Sequence, residues 1–122
     1  MQIKPLDPAF PVQQQLGLPD EGPVVLVNLF TLGAADEDAF LAAWAADAAY
    51  MKTRQGFIST QLHRATGPSA AYFNYAEWEN LAAFRAAFTD PTFQAKLADY
   101  PETAVASPHL FQRMAVPGIC TA

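Results

Sequence analysis

The chain has 122 residues, 52% of them apolar, and a formal charge of −5 from 7 basic and 12 acidic side chains. That describes one folded domain with a modest core, too apolar to be disordered. No basic run provides a footprint for nucleic acid or an anionic membrane, and no apolar stretch is long enough to span a bilayer.

In chain order, Met1 to Gly22 carries Pro5, Pro8, Pro11 and Pro19 with a Gln run. It reads as an extended proline-rich arm (1–22), either mobile or laid across a neighbour, ahead of a domain over 23–122. "PVVLVNLFTL", Pro23 to Leu32, is a strand apolar on both faces except at Asn28, as expected of a central strand. A helix is predicted from Asp36 to Arg54, with acidic residues at its start, Lys52 and Arg54 at its end, and Gly56 as its stop. Phe40, Trp44, Ala48 and Met51 form its apolar stripe, and Asp47 is placed on its wet side. A strand over Phe57–Arg64 turns through "ATGPSA" into a third strand, Ala70 to Glu77. A second helix follows from Glu79 to Phe88. Asp90 then caps a further helical turn that has Pro91 at its first position and ends before Pro101. The last strand is placed at Ser107 to Val116. Lone Cys120 allows no internal disulfide, and prolines stand where a signal peptide would carry its apolar run; both fit a cytoplasmic protein.

This order is an α+β, ferredoxin-like split β-α-β-β-α-β with a four-stranded antiparallel sheet. Its first and third strands are central neighbours, and the helices cover one sheet face. The other face is apolar as well: Val25, Val27 and Leu29 share one side of the first strand, and Phe73 and Tyr75 one side of the third. So large an apolar face predicts a homodimer whose open sheet faces pack together. The competing reading is a strong strand in a monomer.

The helix-facing side holds the polar exceptions. Asn28 lies among Val24, Leu26 and Phe30, while Asn74 lies between Tyr72 and Ala76 and leads to Trp78. An unpaired buried amide costs about 1–3 kcal/mol, so each Asn needs a partner in protein, water or ligand. Two readings stand: the amides satisfy each other or the backbone, or with Trp78 they line a cavity beneath the helices. Trp78 is open to a packing role, and Trp44 and Phe84 read more simply as core. Two distant histidines, His63 and His109, and a tail cysteine make no metal constellation. No glycine-rich phosphate loop and no nucleophile elbow occurs.

"VVLVNLF", "FLAAWAADAAYMKTRQGFISTQLHR" and "FNYAEWENLAAFRAAF" resemble the antibiotic biosynthesis monooxygenase family of dimeric α+β barrels, over roughly Pro23 to Val116. The resemblance implies a homodimer with one pocket per subunit, and oxidation of aromatic polyketide-like or quinol molecules by dioxygen without metal, flavin or other cofactor. It makes Asn74 and Trp78 the catalytic candidates, with Asn28, Phe40, Trp44, Tyr72 and Phe84 binding substrate. Some members carry a tyrosine where this chain has Phe84, so a phenol there is absent, and Tyr72 or Tyr50 would have to replace it. The haem-degrading branch of the superfamily matches at Asn28 and Trp78 but needs an axial histidine where Leu97 falls. A third reading within the same fold is a non-catalytic ligand-binding or stress-related dimer.

Overall fold

The computed structural model describes all 122 residues. Its elements are β1 (Gln2–Ile3), α1 (Val12–Gln15), β2 (Val24–Thr31), α2 (Glu37–Met51), β3 (Phe57–Arg64), β4 (Ala71–Trp78), α3 (Leu81–Phe88), α4 (Pro91–Lys96) and β5 (Val105–Phe111). Short 3₁₀ turns lead into α2 at Ala34–Asp36 and follow α4 at Leu97–Asp99. The sheet order is β1-β5-β2-β4-β3. From β2 onward this is the expected ferredoxin-like α+β arrangement, with β2 and β4 adjacent and antiparallel.

Three expectations are corrected. The sheet has five strands rather than four, because Gln2 and Lys4 donate backbone hydrogen bonds to Ala104 and Ala106 and set β1 parallel on β5. The N-terminal segment is not an extended arm. Val12 and Leu16 are buried, and the Gln15 amide donates to Leu110 O at 3.0 Å and accepts from Leu110 N at 2.9 Å. A glutamine amide carries the same donor and acceptor as a peptide group, so Gln15 continues the β5 edge where β1 has ended. Finally, β5 begins two residues earlier than expected and stops at Phe111. Pro108 is tolerated within it because Ala106 O and the Leu110 peptide groups on the same edge bond away from β2. The N–H that Pro108 lacks points that way too, so no β2–β5 bond is lost.

Caps set the helix starts. Asn80 Oδ1 accepts from Ala83 N at 2.8 Å at the head of α3, and Asp90 Oδ1 accepts from Thr92 N at 2.7 Å at the head of α4, ahead of Pro91. Gly56, with φ +87°, ends the α2 connection in a conformation L-residues rarely adopt. A Cβ there would lie 2.3 Å from Ala83 Cβ, so this glycine also sets how closely α3 approaches.

The helices cover one sheet face over a core in two parts. One packs Leu26, Ala76, Trp78, Phe84 and Phe93 with α1 and α3; the other packs Phe30, Phe40, Tyr72, Tyr100 and Ala106. Asn28 lies between Leu26 and Phe30, and Asn74 between Ala76 and Tyr72. The two amides therefore fall at the seam between the clusters. On the open face Leu29 and Phe111 are 42% and 43% exposed, and His63 stacks flat on Phe73 at 4.2 Å.

Candidate active site

At that seam is a cavity of about 60 Å³ bordered by 14 residues, 10 of them hydrophobic. Its polar wall is Asn28, Asp47, Thr60 and Asn74. Strand alternation puts both asparagines on the helix side, and the β2–β4 register sets them directly opposite each other. They are not bonded to each other. Thr60 Oγ1, on β3, donates to Asn74 Oδ1 at 2.5 Å, while Asn28 Oδ1 is buried without a partner. With its oxygen held by Thr60, Asn74 has its Nδ2 hydrogens left to offer a ligand.

Trp78 closes the same wall. It is 1% exposed and held edge-on by Phe57 and Phe84 at 5.4 and 5.7 Å. Its Nε1 has no acceptor in the chain. Asn28 and Trp78 each contribute an orphaned buried polar atom beside this apolar cavity, an unmet hydrogen-bonding demand of about 1–3 kcal/mol each.

Of the residues expected to contact substrate, Asn28, Asn74, Trp44 and Trp78 border the cavity, while Phe40, Tyr72 and Phe84 do not. Phe40 is fully buried in the second cluster, against Phe30 and Tyr72 at 4.9 and 4.8 Å. Tyr72 lies too far along β4, where its hydroxyl donates to Glu37 Oε1 at 2.6 Å. Arg64 and Tyr72 together hold the Glu37 carboxyl below its ordinary range through these hydrogen bonds. Phe84 stands behind the indole. The two phenols considered as replacements at Phe84 are both engaged elsewhere, since Tyr50 Oη donates to Asp90 Oδ2 at 2.8 Å.

The residue that sequence reasoning misplaced is Asp47. It is partly buried and borders the cavity instead of facing water. Tyr100 Oη donates to its Oδ2 at 2.7 Å. Burial pushes the carboxyl up from 3.8 to about 6, against the lowering effects of the Tyr100 hydrogen bond and the Lys96 charge. Burial and the neighbouring Asp47 hold the Tyr100 hydroxyl well above the ordinary phenol range, so it remains a donor. The signal was in the spacing: Asp47 follows Phe40 by seven residues and Trp44 by three, which is the stripe itself. Thr60, Phe57, Met51, Phe88 and Phe93 are among the other contributors that sequence reasoning had not assigned to a site.

No group of three or more His, Cys, Asp or Glu side chains is placed to hold a metal ion. Neither histidine borders the cavity; the sheet registers place His63 opposite Phe73 and His109 opposite Val27, on the open face. No helix is long and apolar enough to cross a membrane.

A sequence profile described as antibiotic biosynthesis monooxygenase matches residues 23–98. The fold is similar to that of SnoaB, a cofactor-independent oxygenase from Streptomyces nogalater, with a TM-score of 0.72 and 26% identity over 80% of this chain and 99% of that one. A monooxygenase candidate from Shewanella loihica PV-4 superposes with a TM-score of 0.68 and 26% identity, over 79% of this chain and 99% of that one. Rv0793 from Mycobacterium tuberculosis, at 13% identity and a TM-score of 0.67 over 79% of this chain and 99% of that one, shares the fold alone. No curated protein matches the chain in sequence.

Proposed function

The chain belongs to the antibiotic biosynthesis monooxygenase family, and from that premise we propose that it is a cofactor-independent monooxygenase of a small phenol or quinol, with dioxygen as oxidant. The observation that carries the reading is the opposed but unbonded pair Asn28 and Asn74, bordering the same apolar cavity as the unpaired indole N–H of Trp78. These are neutral donors and acceptors in a mostly apolar setting, where they would orient an oxygen-bearing ring and stabilise charge that develops on it. Asn74 Nδ2 would hold the substrate oxygen, Asn28 would bond a second polar group, and the Trp78 indole would wall the site of the oxygen reaction.

The cavity, at about 60 Å³, is well below the roughly 300–1,000 Å³ of drug-sized sites. A cavity this small argues against a polycyclic substrate, and a single ring enters only if the walls move. The haem-degrading alternative has no support in the site, because the residues bordering it include no histidine. The SnoaB likeness supports chemistry without a bound cofactor, and a non-catalytic ligand-binding role would use the same wall.

The exposed apolar residues of the open sheet face support assembly as a homodimer through that face. The deciding experiment for the oxygenase reading is dioxygen uptake with hydroquinones and anthrone by chelator-treated protein. Uptake above the uncatalysed rate is expected. Its absence across the panel would overturn the reading.

A further inference from the structure

Asp47 is the one ionisable side chain on the cavity wall, and nothing in the amide-and-indole arrangement accounts for it. One of its oxygens, Oδ2, is committed to the Tyr100 hydroxyl; Oδ1 makes no hydrogen bond within the chain. Tyr100 is 5% exposed and packed into the second core cluster, so the carboxylate is held from behind. The strands facing Asp47 across the cavity present Asn28, Thr60 and Asn74, and α3 and α4 present Phe88 and Phe93; none of these titrates. The titratable and charged groups acting on Asp47 are Tyr100 and Lys96 alone.

We propose that Asp47 is the proton acceptor of this site, taking the hydroxyl proton of a phenol or quinol whose oxygen rests against Asn74. The inference rests on the oxygenase reading for its chemistry and sharpens the substrate class: a neutral ring bearing a hydroxyl donor, with carboxylate ligands repelled. In the step, the substrate O–H bond breaks and its electron pair stays on the substrate oxygen. The proton forms an O–H bond on Asp47 Oδ1, and no electron changes owner. Dioxygen then takes electrons from the phenolate. An amide cannot play this part, since neither Asn74 nor Asn28 holds a proton reversibly near neutral pH. A carboxyl raised to about 6 is a stronger base than an ordinary one and is still ionised at pH 7.

The test measures hydroquinone affinity and the rate of dioxygen uptake from pH 5 to pH 8.5 in wild type, Asp47→Asn and Tyr100→Phe. In wild type both quantities rise through pH about 6, affinity by about tenfold as an ionised acceptor replaces a neutral one. In Asp47→Asn the rise disappears and the rate falls about 100-fold. A rise caused by any group other than Asp47 would survive that substitution. Tyr100→Phe removes a hydroxyl that lowers the Asp47 value, so it moves the rise to higher pH, a shift that a merely structural role for Tyr100 would not produce. Asp47→Asn with the wild-type rate and profile overturns the proposal, as does wild-type affinity that is independent of pH or too weak to detect. If binding shows the rise but no variant consumes dioxygen, the oxygenase reading fails and Asp47 remains the acceptor of the ligand hydroxyl.

Discussion

Asn28 and Asn74 face each other across the β2–β4 ladder without bonding: Asn74 gives its oxygen to Thr60, and the Asn28 oxygen is left with nothing. Two amides at this spacing could have neutralised each other's polarity. By failing to do so they leave the seam of the core chemically open, at a cost to the empty protein.

That cost makes Asn28→Leu informative. Leucine is close in size and needs no hydrogen bond, so the substitution should stabilise the protein by about 1 kcal/mol. Urea denaturation reads this as a higher midpoint with an unchanged slope. The same variant should bind hydroquinone more weakly. A destabilised Asn28→Leu would mean that the amide is already satisfied in the folded chain.

Asn74→Ala tests the other half of the pair. It removes the donor assigned to the substrate oxygen and should lower kcat/KM for dioxygen uptake by about 100-fold. It also strands the Thr60 hydroxyl, so Thr60→Val is the control. That variant frees Asn74 from its tether and should cost less activity. Equal rates in wild type and Asn74→Ala would remove Asn74 from the mechanism.

Asp47 has a signature in stability that is separate from activity. Its folded value of about 6 is above the ordinary 3.8, so the native state holds a proton that the unfolded chain gives up. The contribution is fully present below pH about 4 and is lost as pH rises through about 6, amounting to about 3 kcal/mol for a shift of this size. Glu37 and Asp90, both lowered, act in the opposite sense, and their effect is lost as pH falls. The difference between wild type and Asp47→Asn isolates Asp47: wild type should lose stability relative to the variant between pH 4 and 6, then run parallel to it. Curves parallel over the whole range would place Asp47 in water.

The legible part of the site came from strand alternation, which has a period of two and so fixes faces without ambiguity. That rule put Asn28 and Asn74 on one face leading toward Trp78, and the family resemblance then singled out Asn74 and Trp78. A face does not say how far along a strand the cavity lies, and Tyr72, one alternation from Asn74, falls in the other core cluster beside Phe40. Phe84 shares Trp78's surroundings but stands behind it. Asp47 was misplaced because its charge was weighed above its spacing, although positions 40, 44, 47 and 51 form one helical stripe. The pairing of Gln15 with Leu110 spans 95 residues and leaves no local trace. The prolines around it suggested an unattached arm instead.

Gly56 offers a test of backbone structure, one residue ahead of the Phe57 that packs on Trp78. Gly56→Ala forces an L-residue to φ +87° and drives its Cβ to 2.3 Å from Ala83 Cβ. The two effects together should cost at least about 2 kcal/mol. Gly56→Ala combined with Ala83→Gly relieves the clash and leaves the strained φ, so it should recover only part of the loss beyond what Ala83→Gly costs by itself. Full recovery in the pair would mean that backbone conformation matters little here.

The open sheet face gives the last prediction. Leu29 is 42% exposed on it, in line with Val25 and Val27 and opposite Phe73, so a glutamate at this position costs the isolated chain little. In a dimer packed face to face the same carboxylate enters an apolar interface, and two-fold symmetry supplies two of them. Light scattering at micromolar concentration should give wild type about twice the 13.2 kDa chain mass. Leu29→Glu should run near the single-chain mass with unchanged far-UV circular dichroism. A wild-type chain that is monomeric at pH 8 removes the sheet face as the interface.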